Sequence, residues 1–292
     1  MVTTLLDNAV DLRASLLDED TNALRLVDGM GDGVQGFALE NYAGKWMAMT
    51  PGGEIRADIK EWLKASGRSI YWKRLDQHHK ESPMHLYGEP VDGAFSIREN
   101  RLNFEVSFSS GYSQGIFLDQ RLNRAEVMQR MARGRKLLNL FSYTGAFSVA
   151  AAMAGAETTT LDLSSVYLEW AKRNFRFNGL DESEHFFCKG DAFHLLKRFA
   201  KQERIFDGIV LDPPTFSRDE NGKVFRVEKD FGELVELAKQ VLAKDGWMLC
   251  CTNFRGISER DFMRMINMPK MQGVKMPEDF SEDPYLKSVW VG

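Results

Sequence analysis

From Leu137 onward the chain alternates short apolar runs with stretches of helical length. "LLNLF" (137–141) precedes Gly145–Ala154, "TTTLDL" (158–163) precedes Ser164–Phe177, "HFFCK" (185–189) precedes Ala192–Ala200, "FDGIVL" (206–211) precedes Val227–Leu242, and "GWMLCC" (246–251) follows. Neither kind of segment can bury its apolar face alone. Together they do so as a parallel sheet with helices on both faces. The rhythm therefore predicts an α/β domain. Ser164 predicts an N-cap, and Asn178-Gly179 the end of the helix it starts. "KSVWV" (287–291) has no helix after it and predicts an added antiparallel strand.

Residues 1–115 have another texture. "MGDGVQGFALENYAGKWMAM" reads as two short strands punctuated by glycines, "RADIKEWLKASG" as one helix, and "GAFSIRENRLNFEVSFSSG" as a hairpin turning at Glu99–Arg101. The expected organisation is a smaller α+β domain over 1–115 and an α/β domain over 116–292.

A composition of 43% apolar and 27% charged residues is that of a soluble globular protein. The longest apolar stretch, Phe147–Ala154, is too short to span a bilayer, and acids stand at the N-terminus where a signal peptide would be basic. These features predict a cytoplasmic protein with no membrane partner; its oligomeric state stays open. Cys188, Cys250 and Cys251 form no metal-ligand pattern, and no metal is expected. A net charge of −4 excludes a uniformly basic surface, but "RLNRAEVMQRMARGRK" (121–136) gathers six positive charges against one acid. That segment is either a nucleic-acid footprint or a solvated helix face. "IYWKRLDQHHK" (70–80) is likewise either a nucleic-acid surface or a strand whose Tyr71 and Trp72 cover a core. His78 and His79 alternate faces if extended and make no metal pair.

Open α/β sheets bind ligands at the carboxyl ends of their strands. There stand the turn Ser142-Tyr143-Thr144-Gly145, opening a helix whose first N–H groups suit an anion, then Asp162, Asp191, and Asp212 followed by Pro213 and Pro214. Two prolines end a strand abruptly and stiffen the loop that follows. A dinucleotide site would need G-x-G-x-x-G after the first strand, and only Gly145 is present, which excludes a nicotinamide cofactor. "SRDENGKVFRVEK" (217–229), rich in charges of both signs, suits a lid, and His194 reads as a surface or packing residue.

The series "NLFSYTGAFSVAAAMAGA", "TTTLDLSSVYLEWAKRNFRFNGL", "KGDAFHLL" and "FDGIVLDPPTFS" resembles class I S-adenosylmethionine-dependent methyltransferases. More narrowly, it resembles the bacterial enzymes that modify cytosine C5 or guanine N7 of 23S ribosomal RNA. "TNALRLVDGMGDGVQGFALENYAGKW" resembles that family's small substrate-side domain and "GYSQGIFLDQRLNR" its linker. The resemblance spans residues 20–256. It implies a Rossmann-like sheet, mostly parallel with the last strand antiparallel, S-adenosylmethionine as cofactor, and RNA, either 23S rRNA or a large-subunit assembly intermediate, as partner. It further implies that Tyr143, Thr144 and Gly145 flank the cofactor's methionine part, that Asp162 holds its ribose and Asp191 its adenine, and that Gln120 and Arg121 stand at the mouth of the site. Asp212, Pro213 and Pro214 would line the target base, with Phe216 stacked on its face.

The two chemistries make different demands. Cytosine C5 needs a thiolate to attack C6, whereas the guanine N7 lone pair attacks a sulfonium methyl directly once positioned. The cysteine of cytosine-modifying relatives aligns with Asn253 here, while Cys250 and Cys251 fall earlier, inside the strand. "DPPTFS", "YLEWAKRN" and "NFRG" resemble the guanine-N7 branch, in which Asn253 would bind the base edge and Arg255 a phosphate. Two alternatives stay open: cytosine C5 transfer through Cys251 with Asp212 as the acid at N3, and a non-catalytic cofactor- and RNA-binding assembly factor.

Overall fold

The computed structural model describes residues 1–76, 81–218, 224–282 and 284–292. The chain divides into two compact units, Met1–Arg121 with Pro277–Asp283, and Leu122–Met276 with Pro284–Gly292.

In the first unit, α1 (Val2–Ala14) precedes β1 (Ala23–Asp28), β2 (Ala38–Tyr42), β3 (Lys45–Thr50), α2 (Ala57–Ala65), β4 (Ile70–Arg74) and β5 (Met84–Tyr87), and then the hairpin β6 (Ala94–Glu99) and β7 (Leu102–Ser107). Among the described residues, β1 to β5 form one sheet in sequence order. The pairs are antiparallel except β3 with β4, where α2 makes the crossover. Leu6 and Ala9 of α1 and Ile59 and Leu63 of α2 pack with Leu24, Leu26, Leu39 and Ile70 into its core. The β6–β7 hairpin turns as expected, through Asn100 and Arg101, both at positive φ. "IYWKR" is strand β4, and its Tyr71 is buried while Trp72 packs on the core; His78 and His79 lie outside the described residues.

The boundary expected at 115/116 differs from the division at 121/122, and the return of Pro277–Asp283 to the first unit is invisible in sequence. Its cause is polar. Asp279, fully buried, accepts from Arg121 at 2.8 and 3.3 Å and from the Arg25 backbone N–H at 2.9 Å. Buried Arg13 of α1 donates to the Asp279 carbonyl (3.2 Å), to Ser281 Oγ (2.9 Å) and to Asp32 (2.9 Å). A charge this deep persists only when paired and hydrogen-bonded.

The second unit runs α3 (Arg121–Arg130, its first residue counted with the other unit), β8 (Lys136–Leu140), α4 (Ala146–Met153), β9 (Glu157–Asp162), α5 (Ser165–Phe177), β10 (Phe186–Lys189), α6 (Ala192–Lys201) and β11 (Phe206–Leu211). It continues with β12 (Phe216–Arg218), β13 (Val224–Arg226), α7 (Val227–Lys239), β14 (Leu242–Thr252), α8 (Glu259–Ile266), β15 (Met271–Val274) and β16 (Lys287–Val291). The described sheet has the order β10-β9-β8-β11-β14-β16-β15. Its first five strands are parallel, and β16 is antiparallel to both neighbours, as "KSVWV" predicted. Gly208 lies mid-strand because a Cβ there would fall 2.4 Å from the Trp247 ring. Ser164 caps α5 through the Tyr167 N–H (3.4 Å).

The basic segment 121–136 is largely spent within the protein. Arg121 pairs with Asp279, Arg130 with Glu126 (2.7 Å) and Arg135 with Asp207 (2.6 Å), while Arg124 is buried. It is not a continuous nucleic-acid footprint.

Candidate active site at the strand ends

Register brings the expected residues to one edge of the sheet. Leu140, the last residue of β8, pairs with Leu161 of β9 and with Leu211 of β11; Asp162 pairs with Lys189 of β10, and Leu211 with Cys250 of β14. The loops carrying Tyr143, Asp162, Asp191, Asp212 and Asn253 therefore all leave the same end. Backbone bonds stitch three of them together: the Ser142 N–H donates to the Leu161 carbonyl (2.9 Å) and the Gly190 N–H to the Asp162 carbonyl (3.0 Å).

The turn after β8 has an unusual backbone. Phe141, Tyr143 and Gly145 sit at φ 57°, 49° and 74°. Only glycine adopts that region without strain, so the turn must be held from outside. Asp162 holds it. Its Oδ2 accepts from the Tyr143 N–H (2.8 Å) and its Oδ1 from the Ser164 N–H (2.9 Å). Below, Asn174 of α5 donates to the Thr144 carbonyl (2.9 Å), and Ser148 Oγ accepts from Asn139 (3.0 Å) and Thr160 (2.8 Å). Gly145 also packs where no side chain fits, since a Cβ would lie 2.7 Å from that of Ala171. The Tyr143 ring meets Tyr167 edge-on, with centroids 4.6 Å apart.

Burial holds the Asp162 carboxyl above the usual carboxylate range, against the lowering effect of its backbone N–H donors. No cation pairs with it among the described residues. Besides Tyr143 and Ser164, the Leu163 N–H donates to it, and its two oxygens can still accept one bond more. Asp191 caps α6, accepting from the His194 N–H at 2.9 Å, while the His194 side chain is exposed. Pro213 is buried and Pro214 exposed. Thr215 Oγ1 donates to Asn253 Oδ1 (2.7 Å), tying the loop after β11 to the one after β14. For Phe216 only the backbone is described: it pairs with Arg226 in the ribbon β12–β13, whose tip, 219–223, lies outside the described residues. The segment 217–229 expected as a lid thus begins in β12, passes through β13 and ends in the first turn of α7, which starts at Val227. Gln120 and Arg121 belong to the first unit, where the Arg121 guanidinium is committed to Asp279.

Both strand cysteines are fully buried, on opposite faces of β14. Cys250 lies in the cluster with Leu211, Met248 and Val289, and burial pushes its thiol pKa far up. Cys251 packs among Trp247, Leu249, Leu286 and Trp290 and donates to Ser288 Oγ at 3.6 Å. Sequence reasoning named Ser142 only as part of the turn and gave its side chain no role; its hydroxyl is buried and has no hydrogen-bond partner among the described residues. Sequence reasoning missed Asn174 and Ser148, which act beneath the loop. Among the described residues no cluster of His, Cys, Asp or Glu could hold a metal, and no helix is long and apolar enough to cross a membrane.

A strained turn opening a helix, a partly buried carboxylate able to accept one more bond and a buried hydroxyl without a partner among the described residues make a set of polar groups that fits S-adenosylmethionine, with its ribose diol and amino-acid tail. Comparison with known proteins agrees. Residues 49–286 match the model of the family described as S-adenosylmethionine-dependent methyltransferase. YwbD of Bacillus subtilis (strain 168), named as a candidate ribosomal RNA large subunit methyltransferase, is 32% identical over 97% of this chain and 78% of its own. Ribosomal RNA large subunit methyltransferase K of Neisseria meningitidis serogroup B is 35% identical over 83% of this chain and 70% of its own. Among solved structures, SMU.776, described as a candidate methyltransferase complexed with SAH, superposes with a TM-score of 0.89 at 30% identity, covering 99% of this chain and 80% of that one. The chain belongs to the S-adenosylmethionine-dependent methyltransferase family.

Proposed function

We propose that the protein methylates guanine N7 in 23S ribosomal RNA, on the naked RNA or an assembly intermediate, in the cytoplasm. The observation that carries this reading is the pairing of a stiff base-side loop with the burial of both cysteines of β14, Cys250 and Cys251. Cys251 is wholly enclosed in an apolar cluster, whereas an attacking thiolate needs access to cytosine C6 and a polar environment to ionise. Guanine N7 asks only for position.

S-adenosylmethionine, when bound, supplies an electrophilic sulfonium methyl. The turn Tyr143–Gly145 would flank its methionine part, Asp162 its ribose and Asp191 its adenine. Asp212 would accept from the guanine edge while Pro213 and Pro214 keep the loop from yielding. Asn253, oriented by Thr215, would hold a second point on the base, and Phe216 would cover its face. With the base so held, the N7 lone pair could take the methyl directly, leaving S-adenosylhomocysteine, and no covalent intermediate or general base would be required. The names of the relatives, which specify large-subunit ribosomal RNA, support the choice of substrate.

The test is transfer of labelled methyl from S-adenosylmethionine to unmodified large-subunit RNA, digested to nucleosides, with Cys251→Ala and Asp212→Ala beside the wild type. The expected result is label in 7-methylguanosine that survives Cys251→Ala and falls at least a hundredfold with Asp212→Ala. Label in 5-methylcytidine that is lost with Cys251 would overturn the reading. Cofactor binding without label in any RNA would favour a non-catalytic assembly factor.

A further inference from the structure

Beyond the end of β14 the chain assembles two cations on the same two residues. Lys287 Nζ donates to the Phe254 carbonyl at 2.9 Å and to the Tyr285 carbonyl at 3.1 Å. Arg255, next in sequence to Phe254, is exposed and lays its guanidinium over the Tyr285 ring, 5.1 Å from the centroid. No carboxylate lies within ion-pair distance of either cation among the described residues. The Lys287 pKa is lowered, first by burial and then by the Arg255 charge, with Glu259 acting weakly against them. Holding two like charges together without a counter-ion is unfavourable unless an anion arrives from outside.

We propose that Arg255 and Lys287 form a binding site for one phosphate of the RNA backbone beside the target nucleotide, an inference that rests on the RNA reading above. Each side chain is prepared for that ligand. The Arg255 guanidinium rests on the Tyr285 ring in an exposed residue, and its N–H fork is the group that matches a phosphate. Lys287 spends two of its three donors on carbonyls and keeps the third. The carbonyls fix the ammonium in place, so a phosphate need not order a mobile lysine. The site is also correctly placed: Asn253, two residues before Arg255, is tied to Thr215, which directly follows Pro214 in the base loop. A phosphate held here would fix the register of the strand while the base loop reads the base.

The experiment measures the affinity of the full chain for oligouridylate across a salt series, for the wild type, Arg255→Ala, Arg255→Lys and Lys287→Gln, with S-adenosylhomocysteine affinity as the folding control. Arg255→Ala is expected to raise the Kd at least fivefold at low salt and to flatten the slope of log Kd against log salt by about 0.7, the share of one phosphate contact on a single strand. Lys287→Gln should act in the same direction, and Arg255→Lys should restore the slope but only part of the affinity. An unchanged slope in Arg255→Ala overturns the site, and if the wild type still methylates RNA the function proposed above survives it. A flattened slope with no label in any RNA keeps the phosphate site and removes the proposed reaction.

Discussion

Arg121 and Asp279, 158 residues apart, meet in a two-bond ion pair of 2.8 and 3.3 Å in which the carboxylate is fully buried. Everything between Leu122 and Met276 belongs to the other unit, so this pair closes the first unit across the whole catalytic insertion.

Removing one partner strands the other. Asp279→Ala should lower the stability of the protein by about 3–5 kcal/mol, because it leaves the Arg121 guanidinium buried without its counter-charge. Replacing both, with Arg121→Met and Asp279→Leu, should recover a substantial part of that loss. Urea unfolding of the three variants checks this. A double variant no better than Asp279→Ala would mean that the loss comes from the Arg25 N–H left without its acceptor, and not from the ion pair.

Asp162 gives a pH signature. Its carboxyl titrates above the ordinary aspartate range because it is buried, and in the protonated form it loses acceptor capacity. The sign follows: a raised pKa means that the cofactor-free fold is relatively stabilised by Asp162 at low pH and loses that contribution as pH rises through the folded value. S-adenosylhomocysteine, bound by the ionised form, should do the reverse, losing affinity as pH falls through the same window. Asp162→Asn keeps one acceptor oxygen where the carboxylate has two, so affinity should drop about tenfold or more and its pH dependence flatten. Calorimetric titration between acid and neutral pH decides; an unaltered pH profile in the variant would assign the titration elsewhere.

Thr215 and Asn253 should behave as one unit. The bond between them orients the amide, so Thr215→Val should reduce methyl transfer about tenfold, Asn253→Ala further, and the double variant no more than Asn253→Ala alone. Additive losses in kcat/KM would show that the two side chains act separately.

Thiol titration probes the enclosure of β14. Cys250 and Cys251 are fully buried, and burial also raises the pKa of half-buried Cys188. The folded protein should react slowly at Cys188 and not at all at the other two on the same timescale, whereas the unfolded chain should titrate all three. Rapid modification of Cys251 in the folded protein would restore it as a candidate nucleophile.

What sequence disclosed and what it hid divide along a physical line. The alternation after Leu137, the hairpin at Asn100-Arg101 and the final strand at Lys287 depend on local periodicity and turn chemistry, so they are visible in one dimension. Asp162 and Asp212 were legible because a carboxylate at a strand end needs little context. Helix α1 went unread, since its burial depends on Arg13 reaching Asp279 and Ser281, which no local pattern announces. The basic run 121–136 stayed undecided in sequence for the same reason: its counter-charges, Asp279 and Asp207, lie far along the chain. Burial of Cys251 was equally a matter of partners, Trp247 and Trp290 among them.

The left-handed turn after β8 sets two kinds of selection against each other. Phe141 and Tyr143 each hold a backbone conformation that glycine would adopt freely, at a cost of order 1 kcal/mol or more per residue. Glycine at either position would relieve that strain, and at 143 it would also remove the ring that meets Tyr167 and loosen the amide that Asp162 holds. A library of variants screened for heat resistance alone would drift toward glycine there and return hardier proteins with a weakened cofactor cradle. Screening for turnover would drive the same two positions back.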